Sequence, residues 1–131
     1  MNALFADTFF FLALLNDRDA AHAKALSFDG TAPLVTTGWV LMEVGDALSA
    51  PENRDTFLRL LALLRESSDA RIIPLSEELF ERGVELFRQR PDKEWSLTDC
   101  ISFVVMADEG VSDALTGDHH FEQAGFRVLF K

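Results

Sequence analysis

Four acidic side chains each interrupt an apolar stretch of the sequence: Asp7, Glu43, Asp99 and Asp118. A buried carboxylate without a partner is costly, so such a group takes up a proton or finds a positive partner. Four carboxylates brought together would also repel one another. Bound Mg²⁺ or Mn²⁺ would relieve both problems, because hard cations prefer oxygen ligands. Such cations can bring a phosphate close, activate a water molecule and stabilise charge on the leaving oxygen.

Each acid taken singly also has a simpler explanation. Asp7 and Asp99 could cap the helices that begin beside them, and Asp118 in Thr-Gly-Asp could be a turn residue. Glu43 lies in mid-helix, where it could pair with a basic side chain or lie on a solvated face with Asp46. The metal hypothesis therefore depends on whether the fold brings all four together.

The pattern of the chain predicts one α/β domain over residues 1–131, with a three-layer arrangement in which helices flank a five-stranded parallel sheet. Strands are predicted at 3–6, 34–36, 71–75, 114–116 and 127–130. Helices, counting the caps Thr37 and Ser76, are predicted at 8–15, 17–28, 37–49, 52–66, 76–90, 97–109 and 119–124. The strands are short apolar runs without alternation, which is typical of a parallel sheet covered on both faces.

The predicted sheet also explains how distant acids could meet. Asp7 follows the first strand and Asp118 follows the fourth, and the carboxyl ends of parallel strands share one edge, where ligands bind. Asp99 lies in the first turn of a helix that is apolar nearly all round and should be buried. Asp113 begins the fourth strand, so we expect it to point away from this edge.

Composition limits the class of protein further. Apolar residues make up 48% of the 131, and no apolar run is long enough to span a bilayer. The opening segment lacks the basic start and cleavage site of a secretory signal. The single cysteine, Cys100, agrees with a reducing cytoplasm.

The formal charge of −10 argues against a simple nucleic-acid binder, which usually has a basic face. Carboxylates that hold divalent cations would reverse the local field and allow an acidic protein to act on phosphates. The charge therefore leaves two options, a protein without nucleic acid or a nuclease that works through metal.

Four segments in order give the chain a specific resemblance: FADTFFFLALLN, TTGWVLMEVGDALS, WSLTDCISFVVM and ALTGDHHFEQAGF. Over essentially its whole length the chain resembles the PIN-domain family, and within it the VapC-type toxins of bacterial toxin–antitoxin pairs. The resemblance implies a five-stranded parallel sheet and endoribonuclease activity that depends on Mg²⁺ or Mn²⁺. It also implies frequent homodimers and an antitoxin partner that occupies the site.

The resulting hypothesis is hydrolysis of RNA without a protein nucleophile. Asp7, Glu43 and Asp99 would hold one metal ion, and Asp118 would help to hold a second or to orient the attacking water. Water would attack phosphorus in line with the leaving 3′-oxygen and give a 5′-phosphate product.

Thr8, Thr116 and His119 are weaker candidates for contact with the substrate, and both threonines are equally plausible as cap and strand residues. The spacing of His22, His119 and His120 fits no zinc motif, so a zinc site is disfavoured.

Two rival functions remain. The same fold could serve as a catalytically silent PIN-fold module that binds a protein partner, and failure to bind metal would indicate it. A receiver-like signalling domain would need paired acids at the first strand and a lysine near a late strand end. The sequence offers only Asp7 and the last residue, Lys131.

Overall fold

Five parallel strands form the centre of the fold in the computed structural model, which describes residues 2–28 and 30–130. They are β1 (Leu4–Ala6), β2 (Leu34–Thr37), β3 (Ala70–Ile73), β4 (Asp113–Leu115) and β5 (Arg127–Val128). Every paired strand runs parallel to its neighbour, in the order β3-β2-β1-β4-β5. This architecture confirms the predicted α/β class with its five-stranded parallel sheet.

Seven helices surround this sheet within the described residues. They are α1 (Thr8–Leu15), α2 (His22–Leu26), α3 (Gly38–Ala47), α4 (Arg54–Glu66), α5 (Glu77–Gln89), α6 (Leu97–Glu109) and α7 (His119–Gln123). The side chains of Thr37, Ser76 and Ser96 cap α3, α5 and α6 by accepting a backbone N–H from the first turn. None of the described helices is long and apolar enough to cross a membrane.

The direction of the chain across the sheet reverses between β1 and β4. From β1 the chain moves outward to β2 and β3, then returns to β4 on the other side of β1 and continues to β5. In open α/β sheets, ligands bind beyond the carboxyl ends of the strands at such a reversal. The order also differs from the 2-1-3-4-5 order of flavodoxin-like domains, which argues against the receiver-like alternative. Lys131, which that alternative needed, lies outside the described residues.

An aromatic cluster fixes α6 and α7 beside the central strand. Phe103 of α6 meets Phe121 of α7 edge to face at 4.9 Å, and Phe121 lies 6.2 Å from Phe5 of β1. Most of α6 is buried, as its all-round apolar sequence predicted. This packing holds α6 and α7 against the central strand, and Asp99 and Asp118 lie at the first turns of these two helices.

The second helix is much shorter than predicted. The sequence predicted a helix over 17–28, but α2 begins only at His22. Before it, side-chain oxygens of Asn16 and Asp19 accept the backbone N–H groups of Arg18 and Ala21. These local hydrogen bonds form turns that compete with the helical backbone pattern.

Candidate metal-dependent active site

The four predicted carboxylates line one cavity of about 580 Å³ at the carboxyl edge of the sheet. They come from four places in the fold: the end of β1, the middle of α3, the first turn of α6 and the residue before α7. The lining residues are Asp7, Thr8, Phe9, Leu12, Glu43, Glu94, Ser96, Asp99, Gly117, Asp118 and His120. The fold therefore brings together acids separated by up to 111 positions in the sequence.

Asp7 is the most buried of these acids, with 6% of its surface exposed. It precedes α1 but makes no side-chain capping hydrogen bond, so capping does not explain it. Its Oδ2 instead accepts a hydrogen bond of 3.1 Å from the hydroxyl of Thr116. Burial, helped by the charges of Asp99 and Asp118, raises the pKa of Asp7 to about 7.

Thr116 connects the two strand ends at the reversal point. Its hydroxyl donates to Asp7 and accepts the backbone N–H of Asp118 at 3.1 Å. The sequence made Thr116 a candidate for substrate contact, but its side chain is fully buried and its hydroxyl donates to Asp7. The structure gives Thr116 a different position, in which it orients carboxylates.

Asp99 makes a capping box and faces the cavity at the same time. Its backbone N–H donates to the Ser96 hydroxyl, and its Oδ2 accepts the Ser96 N–H. The same Oδ2 lies 3.1 Å from Nδ1 of His120. Burial and then the charge of Asp118 raise the pKa of Asp99. The capping explanation is therefore correct for Asp99 without being a complete account of it.

Glu43 reaches the cavity from α3 and accepts a hydrogen bond of 2.7 Å from the hydroxyl of Thr8. Both side chains line the cavity, so a role for Thr8 near the substrate stays a prediction. Asp46, three residues further along α3, lines a separate groove against α4. The structure thus separates the two acids of this helix.

The two neighbouring histidines differ in position. Nδ1 of His120 lies 3.1 Å from Asp99 and 3.3 Å from Oδ1 of Asp118, and its side chain is 19% exposed. His119, which the sequence analysis favoured, is 71% exposed and does not line the cavity. Because α7 begins directly after Asp118, its first turn places His120 beside the site and leaves His119 outside the cavity lining. Glu94, in the loop before α6, also lines the cavity and had no distinguishing signal in the sequence.

The donor set fits a divalent cation. Among the described residues, no lysine or arginine forms an ion pair with any of the four carboxylates. Carboxylate oxygens without a positive partner are suited to Mg²⁺ or Mn²⁺. Ligand atoms of Asp118, His119 and His120 also lie within 4.8 Å of one another. Such a mixed nitrogen and oxygen group suits Mn²⁺ better than Mg²⁺, but His119 is largely exposed and lies outside the cavity lining.

A group of acids at the reversal point of a parallel sheet, with Asp7 and Asp99 buried and Glu43 exposed, is the arrangement that the sequence resemblance had implied. The model of the PIN domain family matches residues 4–127, and the chain belongs to this family.

Its relatives include the 23S rRNA-specific endonuclease VapC20 of Mycobacterium tuberculosis strain H37Rv. The two are 30% identical over 125 residues, which cover 94% of this chain and 95% of the relative. The crystal structure of Mycobacterium tuberculosis VapC20, described as a sarcin–ricin loop cleaving toxin, superposes with a TM-score of 0.84 and 30% identity over the same shares of both chains. The structure of VapBC2 from Rickettsia felis, bound to a DNA fragment from its promoter, has a TM-score of 0.68 at 14% identity and covers 96% of both chains. This second likeness concerns the fold.

Proposed function

We propose that this chain is an endoribonuclease that depends on Mg²⁺ or Mn²⁺. The observation that carries the proposal is the convergence of Asp7, Glu43, Asp99 and Asp118 on one cavity without a compensating lysine or arginine among the described residues. RNA is the favoured substrate because the relative that is 30% identical is named for cleavage of 23S rRNA.

The acids have distinct parts in this proposal. Asp7, Glu43 and Asp99 would hold one cation, and Asp118 would help to hold a second. When bound by these residues, the cations would supply positive charge for the scissile phosphate and would make a water molecule more acidic. Thr116 holds Asp7 in place relative to the backbone of Asp118, and Thr8 holds Glu43. Nδ1 of His120 lies within hydrogen-bonding distance of both Asp99 and Asp118, so this side chain would hold the two carboxylates in their orientations.

The biological setting follows the same family. We propose that the chain is the toxin of a toxin–antitoxin pair, that an antitoxin protein covers the acidic cavity, and that the active form is a homodimer. An RNA substrate would place its action in the cytoplasm. Co-expression with a cognate antitoxin should suppress any growth defect caused by the chain alone.

The test is cleavage of 23S rRNA and of a single-stranded RNA by the purified protein. We expect cleavage in Mg²⁺ or Mn²⁺, products with 5′-phosphate ends, and none in EDTA. Asp7→Asn and Asp99→Asn should each reduce the rate by at least about a hundredfold, because loss even of a partner that orients a metal ligand can cost 10- to 100-fold.

The matched control is Asp46→Asn, which removes an equal charge from α3 outside the acidic cavity. It should cleave at the wild-type rate. Activity that survives chelation or both site substitutions would overturn the mechanism. A folded protein that binds neither cation would favour the catalytically silent binding module instead.

A further inference from the structure

A second cavity, of about 500 Å³, lies across the loop from the acidic one. The chain from 93 to 100 forms the boundary, and its side chains are divided between the two sides. Three residues of this segment line each cavity: Glu94, Ser96 and Asp99 the acidic one, and Lys93, Trp95 and Cys100 the other. A single segment of the chain therefore borders both cavities.

The second cavity is lined by basic side chains, whereas the first is lined by acidic ones. Lys93, Arg88 and Arg90 line the second cavity, and no carboxylate is among its described lining residues. Both arginines have acidic partners outside it, since Arg88 pairs with Glu85 and Arg90 with Asp92. Lys93 forms no ion pair within the described part of the chain, although its charge acts on Asp92 through space. A chain with a net charge of −10 thus places three basic side chains around a cavity that borders its acidic one.

An aromatic side chain completes this cavity. Phe87, on the last turns of α5, lines it and leaves 52% of its surface exposed. Trp95 is buried deeper, under the guanidinium of Arg90 at 5.1 Å, and its indole N–H donates to Gln123. Phe87 is therefore the ring with a free face. Cations that meet the backbone and an exposed ring on which a base stacks are the two components of single-strand binding sites.

We propose that this cavity binds RNA next to the scissile phosphate, with Lys93 and Arg90 at the backbone and a base stacked on Phe87. The inference rests on the proposed function, because it takes RNA to be the substrate of the acidic cavity. It also answers a difficulty of that function. The acids repel the RNA backbone, so binding needs positive charge besides the metal ions, and this cavity supplies it within one loop of them.

The test is fluorescence anisotropy with a labelled single-stranded RNA of 12 nucleotides. All variants carry Asp7→Asn and are measured in Mg²⁺, so that the RNA stays intact. Phe87→Ala should weaken binding by about fivefold or more, since stacking of one base contributes roughly 1–3 kcal/mol. Phe87→Leu, which keeps an apolar side chain, should show a similar loss.

Lys93→Ala should weaken binding and reduce the slope of log K against log salt by about 0.7, the value for one phosphate contact on a single strand. Two control variants should bind as the parent does. Phe80→Ala removes an exposed ring from the same helix outside the cavity, and Arg59→Ala removes an exposed cation from α4.

The competing occupant of this face is a second copy of the chain, held through Phe87. Light scattering of each variant separates the two. A change of oligomeric state on Phe87→Ala with unchanged RNA affinity would overturn the proposal, as would undetectable binding by the parent.

A cleavage assay of the wild-type protein, in which Asp7 is intact, distinguishes failure of the cavity proposal from failure of the proposed nuclease function. If that protein cuts RNA and neither the phenylalanine nor the lysine variant loses affinity, the cavity proposal alone is wrong. If it cuts no RNA but both variants lose affinity, the nuclease proposal is wrong and the cavity is an RNA-binding site without a scissile phosphate beside it.

Discussion

Asp7 is surrounded by groups that orient its carboxylate without neutralising it. The Thr116 hydroxyl donates one hydrogen bond, while Asp99 and Asp118 lie close enough for their charges to raise its pKa further. With burial as the main cause, the pKa of Asp7 is about 7, against 3.8 for a solvated carboxyl. The metal-free protein therefore keeps a proton here up to neutral pH, and this proton must leave when a cation binds.

A first prediction concerns the stability of the metal-free protein. Between about pH 4 and 7 the native state holds a proton on Asp7 that the unfolded state has lost, so native protein binds more protons in that range. The stabilisation is complete below the unfolded pKa and disappears as pH rises through the folded one. In EDTA the free energy of unfolding should fall by about 3 kcal/mol between pH 5 and 8 from this residue.

Urea unfolding of the wild type and of Asp7→Asn checks this prediction. The amide cannot ionise, so the variant should lose most of the slope and should be the more stable protein at pH 8. Asp99, whose pKa is also raised, accounts for a remaining slope of the same sign. Equal slopes in the two proteins would show that Asp7 is ionised in the metal-free fold.

At the scale of elements, three of the four acids of the site lie next to the end of a strand or at the start of a helix. Asp7 and Asp118 follow β1 and β4, and Asp99 lies in the opening turn of α6, while Glu43 alone projects from mid-helix. A strand end or a helix start has a backbone direction fixed by the sheet or by capping, so its side chain has few orientations to lose. The capping box of Ser96 and Asp99 stabilises the start of α6 and at the same time positions a carboxylate of the site.

Removal of the cap therefore separates stability from activity. Ser96→Ala and Ser76→Ala each delete a capping hydroxyl, at α6 and α5 respectively. Both should lower the free energy of unfolding by about 1 kcal/mol. Ser96→Ala should in addition reduce cleavage by roughly 10-fold, because the hydroxyl supports the turn that carries a metal ligand. Ser76→Ala, whose cap lies outside the acidic cavity, should cleave as the wild type does. Equal activities would show that Asp99 is positioned by packing alone.

The same local signals explain how far the sequence could predict the fold. The capping residues and apolar runs located every strand and helix, because these signals act within a few residues. These signals predicted too long a helix for α2, because side-chain oxygens of Asn16 and Asp19 accept backbone N–H groups and form turns before it. The strand order was beyond reach, since short apolar parallel strands carry little information on which neighbour they pair with. The sequence favoured His119 over His120 for a related reason: the proximity of His120 to Asp99 depends on how α6 packs beside α7.

At the scale of the whole molecule, charge links the site to stability. The chain carries a net charge of −10 and gathers several of its acids in one cavity. Self-repulsion of this kind opposes the compact state, and any cation in solution reduces it by screening. A site-specific cation acts differently, because it binds the native state alone and stabilises it in proportion to the logarithm of its concentration.

Thermal unfolding at pH 8 can distinguish these two effects. Mg²⁺ or Mn²⁺ should raise the melting temperature well beyond NaCl of equal ionic strength, with about 2.7 kcal/mol of stabilisation at a hundred times the dissociation constant. The excess over NaCl should be lost in Asp99→Asn and kept in Asp46→Asn, since both remove one charge but only Asp99 lines the cavity. If Mg²⁺ and NaCl are equivalent at matched ionic strength, the acids are no more than a source of general repulsion. A larger effect of Mn²⁺ than of Mg²⁺ that is lost in His120→Ala would assign a nitrogen ligand to the site, as the closeness of Asp118, His119 and His120 allows.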